Sequence, residues 1–152
     1  MSSGWIYYDK LITDVSQMPT GSFSFVYCIT RIRDGKFYIG KKLCFFTKTS
    51  VKTVTLKNGK KVKKKIKTLV PSDWLSYWSS SIDLQKAVEE EGEDAFKREI
   101  LYFCSNKSTA SYYEAREQMD RRVLELGDAT FNGIINLRVN WKHLKPILYL
   151  KG

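Results

Sequence analysis

Apolar and polar residues alternate along two neighbouring stretches near the start of the chain, which predicts a β-hairpin over residues 22–46. Phe25-Val26-Tyr27 lies in the first stretch and Tyr38-Ile39-Gly40 lies in the second. The Asp34-Gly35 pair falls between them, and such a pair between apolar stretches is a strong signal for a hairpin turn. The two strands are therefore expected to run antiparallel and to bring Tyr27 and Tyr38 close together.

A second alternating pattern predicts another hairpin, inserted at about residues 50–69. Residues 51–57 alternate, Asn58-Gly59 is a type I′ turn signal, and residues 60–68 return with lysines around two apolar positions. Between residues 41 and 70 the chain has eleven lysines and no acidic residue. This charge has two explanations: a solvated lysine-rich edge that prevents sheet aggregation, or a surface that binds phosphates. Phosphate binding is the better explanation, because eleven unopposed charges repel one another.

Helical spacing predicts two helices later in the chain. Asp83 to Glu91 is expected to be a short helix that Gly92 ends, with Leu84, Ala87 and Val88 facing inward. The clearest helix spans Thr109 to Leu126 and ends at Gly127. Its inward-facing residues recur at helical spacing: Tyr112, Ala115, Met119, Val123 and Leu126. Glu114 lies beside that stripe.

Three further segments complete the prediction of secondary structure and core. Phe96 to Phe103 is a strand candidate, and Ile147 to Leu150 is another strand-like apolar run. Residues 72–81 are rich in aromatic residues and serine. Their tryptophans and tyrosine could pack in the core or stack on bases, and we favour the core.

Length and charge restrict the class of protein. A chain of 152 residues and 17.7 kDa is most simply one domain, residues 1–152, and is long enough to bury a core without disulfides or a structural metal. Its net charge of +10 favours a polyanionic partner, although charge alone does not separate DNA from RNA or an acidic membrane surface.

The cysteines and the apolar runs indicate an intracellular protein. The three cysteines form no CxxC pair, so we expect buried, reduced thiols in a cytoplasmic compartment. No apolar run approaches the roughly 18 residues of a membrane helix, and we expect no membrane partner. The start of the chain also lacks the pattern of a signal peptide.

These residues, taken in order, resemble the GIY-YIG nuclease superfamily. Tyr38-Ile39-Gly40 matches the second half of the motif, whereas Phe25-Val26-Tyr27 matches the first half at its tyrosine and its β-branched centre. Glu114 and the aromatic-Asn step at Asn132 fall at the expected places. Further residues look like phage-encoded members: Asp73-Trp74, Tyr77-Trp78, Gly92, Phe96 and Glu99-Ile100-Leu101. The resemblance covers about residues 23–140.

The resemblance implies an α+β fold, with a small central antiparallel sheet flanked by helices. It also implies hydrolysis of phosphodiester bonds with one divalent ion, Mg²⁺ or Mn²⁺, held chiefly by Glu114. A hard cation prefers oxygen ligands and keeps several waters, so one carboxylate can suffice. Tyr27 and Tyr38 match the motif tyrosines that activate water, and Asn132 matches the residue that braces the site. Nearby lysines and the metal are expected to lower the pKa of the phenols.

One family feature is missing from this chain. The family usually has an arginine on the helix after the second tyrosine strand, and no arginine occurs between Gly40 and Arg98. Lys42 and Lys48 are the candidates to replace it, although a lysine lacks the bidentate fork of a guanidinium.

Each assigned residue also has an ordinary structural explanation. Glu114 follows Ser111 with the spacing of a capping box. Tyr27 and Tyr38 could be ordinary sheet aromatics, and Asn132 could serve a turn before Gly133, with Asn136 as the second choice for its role.

The functional prediction is a metal-dependent endonuclease, phage-encoded, that cuts double-stranded DNA in the host cytoplasm. The sequence leaves open whether it acts as a monomer or as a homo-oligomer. The alternative is a basic nucleic-acid-binding module on the same fold that has lost cleavage. In both cases one set of lysines is expected to contact DNA: Lys41, Lys52, Lys60, Lys61, Lys63, Lys64, Lys65 and Lys67.

Overall fold

The computed structural model describes residues 4–150, which form an α+β structure. Its strands are β1 (Trp5–Tyr7), β2 (Lys10–Ile12), β3 (Ser24–Arg31), β4 (Phe37–Leu43), β5 (Phe45–Thr55), β6 (Lys61–Pro71) and β7 (Phe96–Cys104). Its α-helices are α1 (Ile82–Glu91), α2 (Lys107–Asp120) and α3 (Val123–Leu126).

Five strands form the central sheet, in the order β2-β1-β7-β3-β4. β1 pairs parallel with β7, whereas the other neighbouring strands are antiparallel. The α+β prediction is therefore confirmed, but the sheet is mixed rather than wholly antiparallel. The difference comes from β1, a short strand that lies before the first predicted hairpin and pairs parallel with β7.

The first predicted hairpin is confirmed as β3 and β4. Tyr27 lies opposite Gly40, and Ile29 lies opposite Tyr38. The hairpin is shorter than residues 22–46, because Phe45 already begins β5. Gly35 has φ +77° in the connecting turn, a conformation that residues with a Cβ rarely adopt.

The sheet has a buried layer on each of its faces. One layer contains Phe25, Tyr27 and Ile29 of β3 and packs against Leu84 of α1. The other layer includes Val26, Cys28 and Ile39, together with Ala110 of α2. Side chains of a strand alternate between faces, so β3 supplies residues to both layers.

The aromatic stretch after β6 belongs to the core, as predicted. Trp74 is buried, and its carbonyl accepts a hydrogen bond from the indole of Trp5 at 2.7 Å. The buried guanidinium of Arg98 lies 4.6 Å from the Trp5 ring and 4.3 Å from the Trp78 ring. These contacts hold the segment between β6 and α1 against the sheet.

The short helix and the strand predicted over Phe96 to Phe103 are confirmed as α1 and β7. The side chain of Ser81 caps the start of α1, and Gly92 ends the helix with φ +88°. Leu84, Ala87 and Val88 are buried, as their spacing predicts.

The predicted helix over Thr109–Leu126 is wrong in its extent, because it is two helices. α2 ends at Asp120, and Arg122 adopts a left-handed conformation with φ +54° before α3. Met119 and Leu126 are exposed, contrary to the prediction. The buried residues of α2 are small or polar: Thr109, Ala110, Ala115 and Gln118. Of these four, the apolar spacing predicts only Ala115.

The basic insertion is a two-stranded sheet of β5 and β6, separate from the central sheet. It spans residues 45–71 and is therefore longer than predicted. The turn is not type I′, because Gly59 has a positive φ but Asn58 does not. Instead, the Gly59 N–H donates to the Leu56 carbonyl at 2.9 Å.

The C-terminal segment covers two strands without forming one of its own. The strand predicted over Ile147–Leu150 is wrong, because only Leu148 forms a bridge, to Phe103. Nearer the site, Thr130 forms a bridge with Phe37, and the Phe131 N–H donates to the Phe37 carbonyl at 2.8 Å. Residues 130–132 therefore close part of the free edge of β4.

The expectation of buried, unpaired thiols agrees with the structure. All three cysteines are buried and free. Among residues 4–150, no helix is long and apolar enough to cross a membrane.

Candidate active site

The two motif tyrosines lie on one face of the sheet, around Gly40. The rings of Tyr27 and Tyr38 are 6.1 Å apart, and Tyr77 is also 6.1 Å from Tyr27. A Cβ on Gly40 would overlap the Tyr27 hydroxyl and lie 2.7 Å from Cε1 of Tyr38. Gly40 is therefore required for the close packing of both rings, independently of any role in a turn.

The two phenols differ in their access to solvent. Tyr27 is 1% exposed and packs among Trp5, Phe25 and Tyr77. Tyr38 is half-buried, and its hydroxyl lies 3.2 Å from the hydroxyl of Ser80. Tyr38 is therefore the phenol that a bound substrate could reach, whereas Tyr27 supports it from the core.

The pKa values of both phenols are raised, so the nearby lysines do not by themselves lower them as expected, and the lowering by a bound metal stays a prediction. Burial raises the pKa of Tyr27 well above 10, and the neighbouring phenols of Tyr77 and Tyr38 add to the effect. Burial also raises the pKa of Tyr38, although its hydrogen bond with Ser80 opposes the shift. Both phenols of the free protein are neutral at physiological pH.

Glu114 projects from the middle of α2 toward β4. Its side chain is 15% exposed, and its carboxylate lies 4.0 Å from the ammonium of Lys41. Burial raises the pKa of Glu114, and Lys41 partly opposes that shift. The capping-box explanation is wrong, because Asn106 caps α2 and its side chain accepts a hydrogen bond from Thr109.

Glu114 and the tyrosines approach β4 from different sides. Tyr38 and Gly40 share the face of Tyr27, whereas Ile39 and Lys41 point toward α2. The Glu114 carboxylate is nevertheless close enough to raise the pKa of both phenols electrostatically. One carboxylate and two phenols therefore surround the same three residues of β4, Tyr38-Ile39-Gly40.

Asn132 binds the backbone of β4 at the centre of this site. Its Oδ1 accepts a hydrogen bond from the Ile39 N–H at 2.9 Å, and its Nδ2 donates to the Ile39 carbonyl at 2.9 Å. Gln118 of α2 donates to the same carbonyl at 3.1 Å. The side chain thus replaces a neighbouring strand at the sheet edge and does more than serve a turn before Gly133.

Of the two lysine candidates for the missing arginine, only Lys42 lies near the aromatic residues of the site. Its ammonium lies 2.5 Å from Asp73 and 4.1 Å from the centre of the Tyr77 ring. This ion pair lowers the pKa of Asp73. Lys48 is exposed on β5, where it pairs with Thr68. No helix follows β4 directly, since β5 begins at Phe45, so the helical position of the family arginine has no counterpart at Lys48.

The lysines predicted to contact DNA are all exposed, but they lie on two elements. Lys41 belongs to β4, and its ammonium donates to the Ser111 hydroxyl at 2.7 Å. Six others lie on the basic hairpin β5–β6, and Lys60 lies in its turn. Lys52 lies directly opposite Lys64, an arrangement that is destabilising unless an anion is nearby.

Three site residues are not found by the sequence reasoning. Gln118 follows Glu114 by one helical turn, so its position on the β4 side of α2 follows from the helix once Glu114 is placed. Tyr77 was named as a core candidate and as part of the family resemblance but not as a site residue, and Ser80 has no sequence signal that connects it with Tyr38. Both lie in the segment between β6 and α1, whose path depends on the core contacts of Trp74.

The oxygen ligands available to a metal are few. Among the residues that the structure describes, no group of three or more histidine, cysteine, aspartate or glutamate side chains could hold a metal ion. Glu114 is the carboxylate beside the motif strand. The site can therefore offer a hard cation one carboxylate, and water or substrate oxygens would have to complete its coordination.

Comparison with known families agrees with this geometry. Residues 5–135 match the family described as "Putative endonuclease segE, GIY-YIG domain". No curated protein and no solved structure matches the chain. The match begins at β1 and extends beyond Asn132, so it includes the whole central sheet and every residue of the candidate site. The chain belongs to the SegE family of GIY-YIG endonuclease domains.

Proposed function

We propose that this protein is a divalent-metal-dependent DNA endonuclease that hydrolyses phosphodiester bonds. The observation that supports it best is the position of the half-buried Glu114 carboxylate, beside Lys41 and within electrostatic range of Tyr27 and Tyr38. Membership of a GIY-YIG endonuclease family supports nuclease activity. DNA as the substrate and the need for a metal are the parts that we add.

Glu114 is the residue that would hold the ion, Mg²⁺ or Mn²⁺. Its surroundings fit a cation, because a half-buried carboxylate with a raised pKa gains a counter-charge when an ion binds. Such an ion lowers the pKa of water and neutralises charge that develops on the phosphate. Lys41 lies beside the carboxylate and would hold a non-bridging phosphate oxygen.

Tyr38 would orient the attacking water. Its phenol is neutral because its pKa is raised, so it would bind the water by a hydrogen bond. Tyr27 is too deeply buried to contact substrate in this conformation, and it would keep the Tyr38 ring in place over Gly40. Lys42 would supply positive charge from the side of Tyr77, although its ion pair with Asp73 reduces that charge.

The basic hairpin would bind double-stranded DNA. Each of its strands has eleven residues and extends roughly 35 Å, which is about ten base pairs of duplex. A protein with one active site would nick one strand, and cleavage of both strands would need two protomers or two successive binding events. We infer a phage-encoded enzyme that acts in the host cytoplasm.

A basic binding module without cleavage is the second candidate. Two observations favour it: β5 stands where the family has its arginine helix, and Tyr27 is almost fully buried. Both candidates predict DNA binding that weakens with salt, so affinity does not separate them.

Incubation of supercoiled plasmid with Mg²⁺ separates the two candidates. The wild type is expected to convert plasmid to nicked or linear forms, and Glu114→Gln is expected to leave it intact. Asp120→Asn is the matched control, because it removes one exposed carboxylate from the same helix, outside the site. If the wild type binds plasmid tightly but leaves it supercoiled with Mg²⁺ and with Mn²⁺, the module is the correct answer.

A further inference from the structure

A pocket lies between the start of α2 and the base of the basic hairpin. Its volume is about 380 Å³, and it lies outside the group of motif tyrosines. Six of the residues that line it matter here: Lys41, Lys42, Leu43, Phe46, Lys107 and Ser111. We call it the α2 pocket.

The charge of the α2 pocket suits an anion. Three lysines line it, and none of its lining residues is acidic. Lys107 is exposed, and it forms no ion pair or side-chain hydrogen bond with the residues between 4 and 150. Lys41 reaches the pocket from the side of Glu114, held by the Ser111 hydroxyl at 2.7 Å. A phosphate in the pocket would thus meet at least one lysine that has no competing carboxylate.

The walls of the α2 pocket suit a flat apolar group. The Phe46 side chain is 43% exposed, which is unusual for a phenylalanine, and Leu43 lies beside it. The ammonium of Lys42 lies 5.0 Å from the centre of the Phe46 ring. Aromatic rings combined with cations are the usual means by which proteins hold an unpaired nucleotide, with the base on the ring and the phosphate on the cation.

The α2 pocket also lies at a useful distance from the carboxylate. Lys107, Ser111 and Glu114 are spaced at i, i+4 and i+7, so they share the face of α2 that follows β4. Seven residues of helix correspond to about 10 Å, which one DNA strand crosses in roughly three nucleotides. A strand with its scissile phosphate at Glu114 can therefore reach the pocket.

We propose that the α2 pocket binds one unpaired nucleotide of the strand that is cut, with its phosphate on Lys107 and its base against Phe46. This inference rests on the proposed nuclease function and narrows the substrate class. A base within a regular duplex is stacked between its neighbours and cannot enter a pocket. The enzyme should therefore prefer DNA with an unpaired nucleotide a few positions from the cleavage site.

Binding without cleavage tests this inference. Glu114→Gln is titrated, without divalent metal, into two fluorescent duplexes that differ by a single unpaired nucleotide. We expect the bulged duplex to bind more tightly, by roughly 5- to 100-fold, as for the stacking of one base on an aromatic ring. Adding Phe46→Ala is expected to abolish that preference, and adding Leu124→Ala, which truncates an exposed side chain of α3, is expected to preserve it.

The cation is tested by the salt dependence of binding. When Lys107→Gln is added to the Glu114→Gln variant, the plot of log K against log salt concentration is expected to become less steep by about 0.9, the value for one phosphate contact. Adding Lys86→Gln, on α1, is expected to leave the slope unchanged. Equal affinity for both duplexes, or a preference that survives Phe46→Ala, overturns the inference. Plasmid cleavage by the wild type would still support the nuclease, so the two proposals fail separately.

Discussion

Asn132→Ala is expected to destabilise the protein substantially, because this side chain holds an otherwise uncovered part of β4. Asn132 is 8% exposed and binds both backbone groups of Ile39. The alanine variant leaves the Ile39 N–H buried without a partner, at a cost of about 1–3 kcal/mol, and loses one bond to the carbonyl, at about 1 kcal/mol. The free energy of unfolding should fall by roughly 2–4 kcal/mol.

Gln118→Ala is the control for this prediction. Gln118 also donates to the Ile39 carbonyl, but its removal leaves both groups of Ile39 bonded to Asn132. Moreover, the buried Oε1 of Gln118 has no hydrogen-bond partner among the described residues, so truncation also removes an unfavourable burial. We expect Gln118→Ala to lower the free energy of unfolding by at least about 1 kcal/mol less than Asn132→Ala does.

Urea unfolding at neutral pH measures both variants. In a thermal melt, the Asn132→Ala variant should lose roughly 5–15 °C in Tm, given about 2–4 °C per kcal/mol for a domain of this size. If Gln118→Ala is as destabilising as Asn132→Ala, or more so, the orphaned Ile39 N–H is not the cause, and this account of the sheet edge is wrong.

Four further predictions concern the site and the hairpin. Gly40→Ala should cost about 1–3 kcal/mol in urea unfolding and reduce plasmid cleavage, because its Cβ displaces Tyr27 and Tyr38; a fully active, stable variant contradicts this packing. Tyr38→Phe should slow cleavage more than Tyr27→Phe in single-turnover assays, with melting checking that both fold; full activity in both removes the phenols from the mechanism. At pH 7, Glu114→Gln should be more stable than the wild type, because burial disfavours the ionised carboxylate of wild-type Glu114 and thereby raises its pKa. This gain in stability should vanish as the pH falls and the wild-type carboxylate becomes protonated in both the folded and the unfolded state. Replacing five lysines of the hairpin by serine should make the affinity for DNA less dependent on salt concentration: Lys60, Lys61, Lys63, Lys64 and Lys65. An unchanged salt dependence would show that the hairpin is not part of the DNA interface.

Local patterns in the sequence were sufficient for the elements whose neighbours follow closely in the chain. The hairpin β3–β4 depends on residues within one turn of each other, and α1 has a capping serine, an apolar stripe and a terminating glycine. The proximity of the Tyr27 and Tyr38 rings follows from the same hairpin, which places both residues on one face of the sheet.

The features that the sequence did not reveal depend on contacts between distant residues. Trp5 joins the sheet because β7, more than ninety residues later, offers it a parallel partner. Met119 is exposed, and α2 instead buries small or polar residues such as Ala110 and Gln118, which a search for large apolar residues overlooks. The left-handed conformation of Arg122, which follows the end of α2, was not predicted either. The raised pKa of Tyr38 likewise reflects burial under the segment that contains Ser80.

The parallel pairing of β1 with β7 has a consequence for the order of folding. Trp5 is synthesised before β3, but the strand that completes its surroundings follows only at residues 96–104. Until then the indole has no place in the sheet, and long-range pairings of this kind form slowly. During translation, β1 therefore remains without its β7 partner while the β3–β4 hairpin and the lysine-rich insertion emerge. The tryptophan becomes enclosed only after β7 appears.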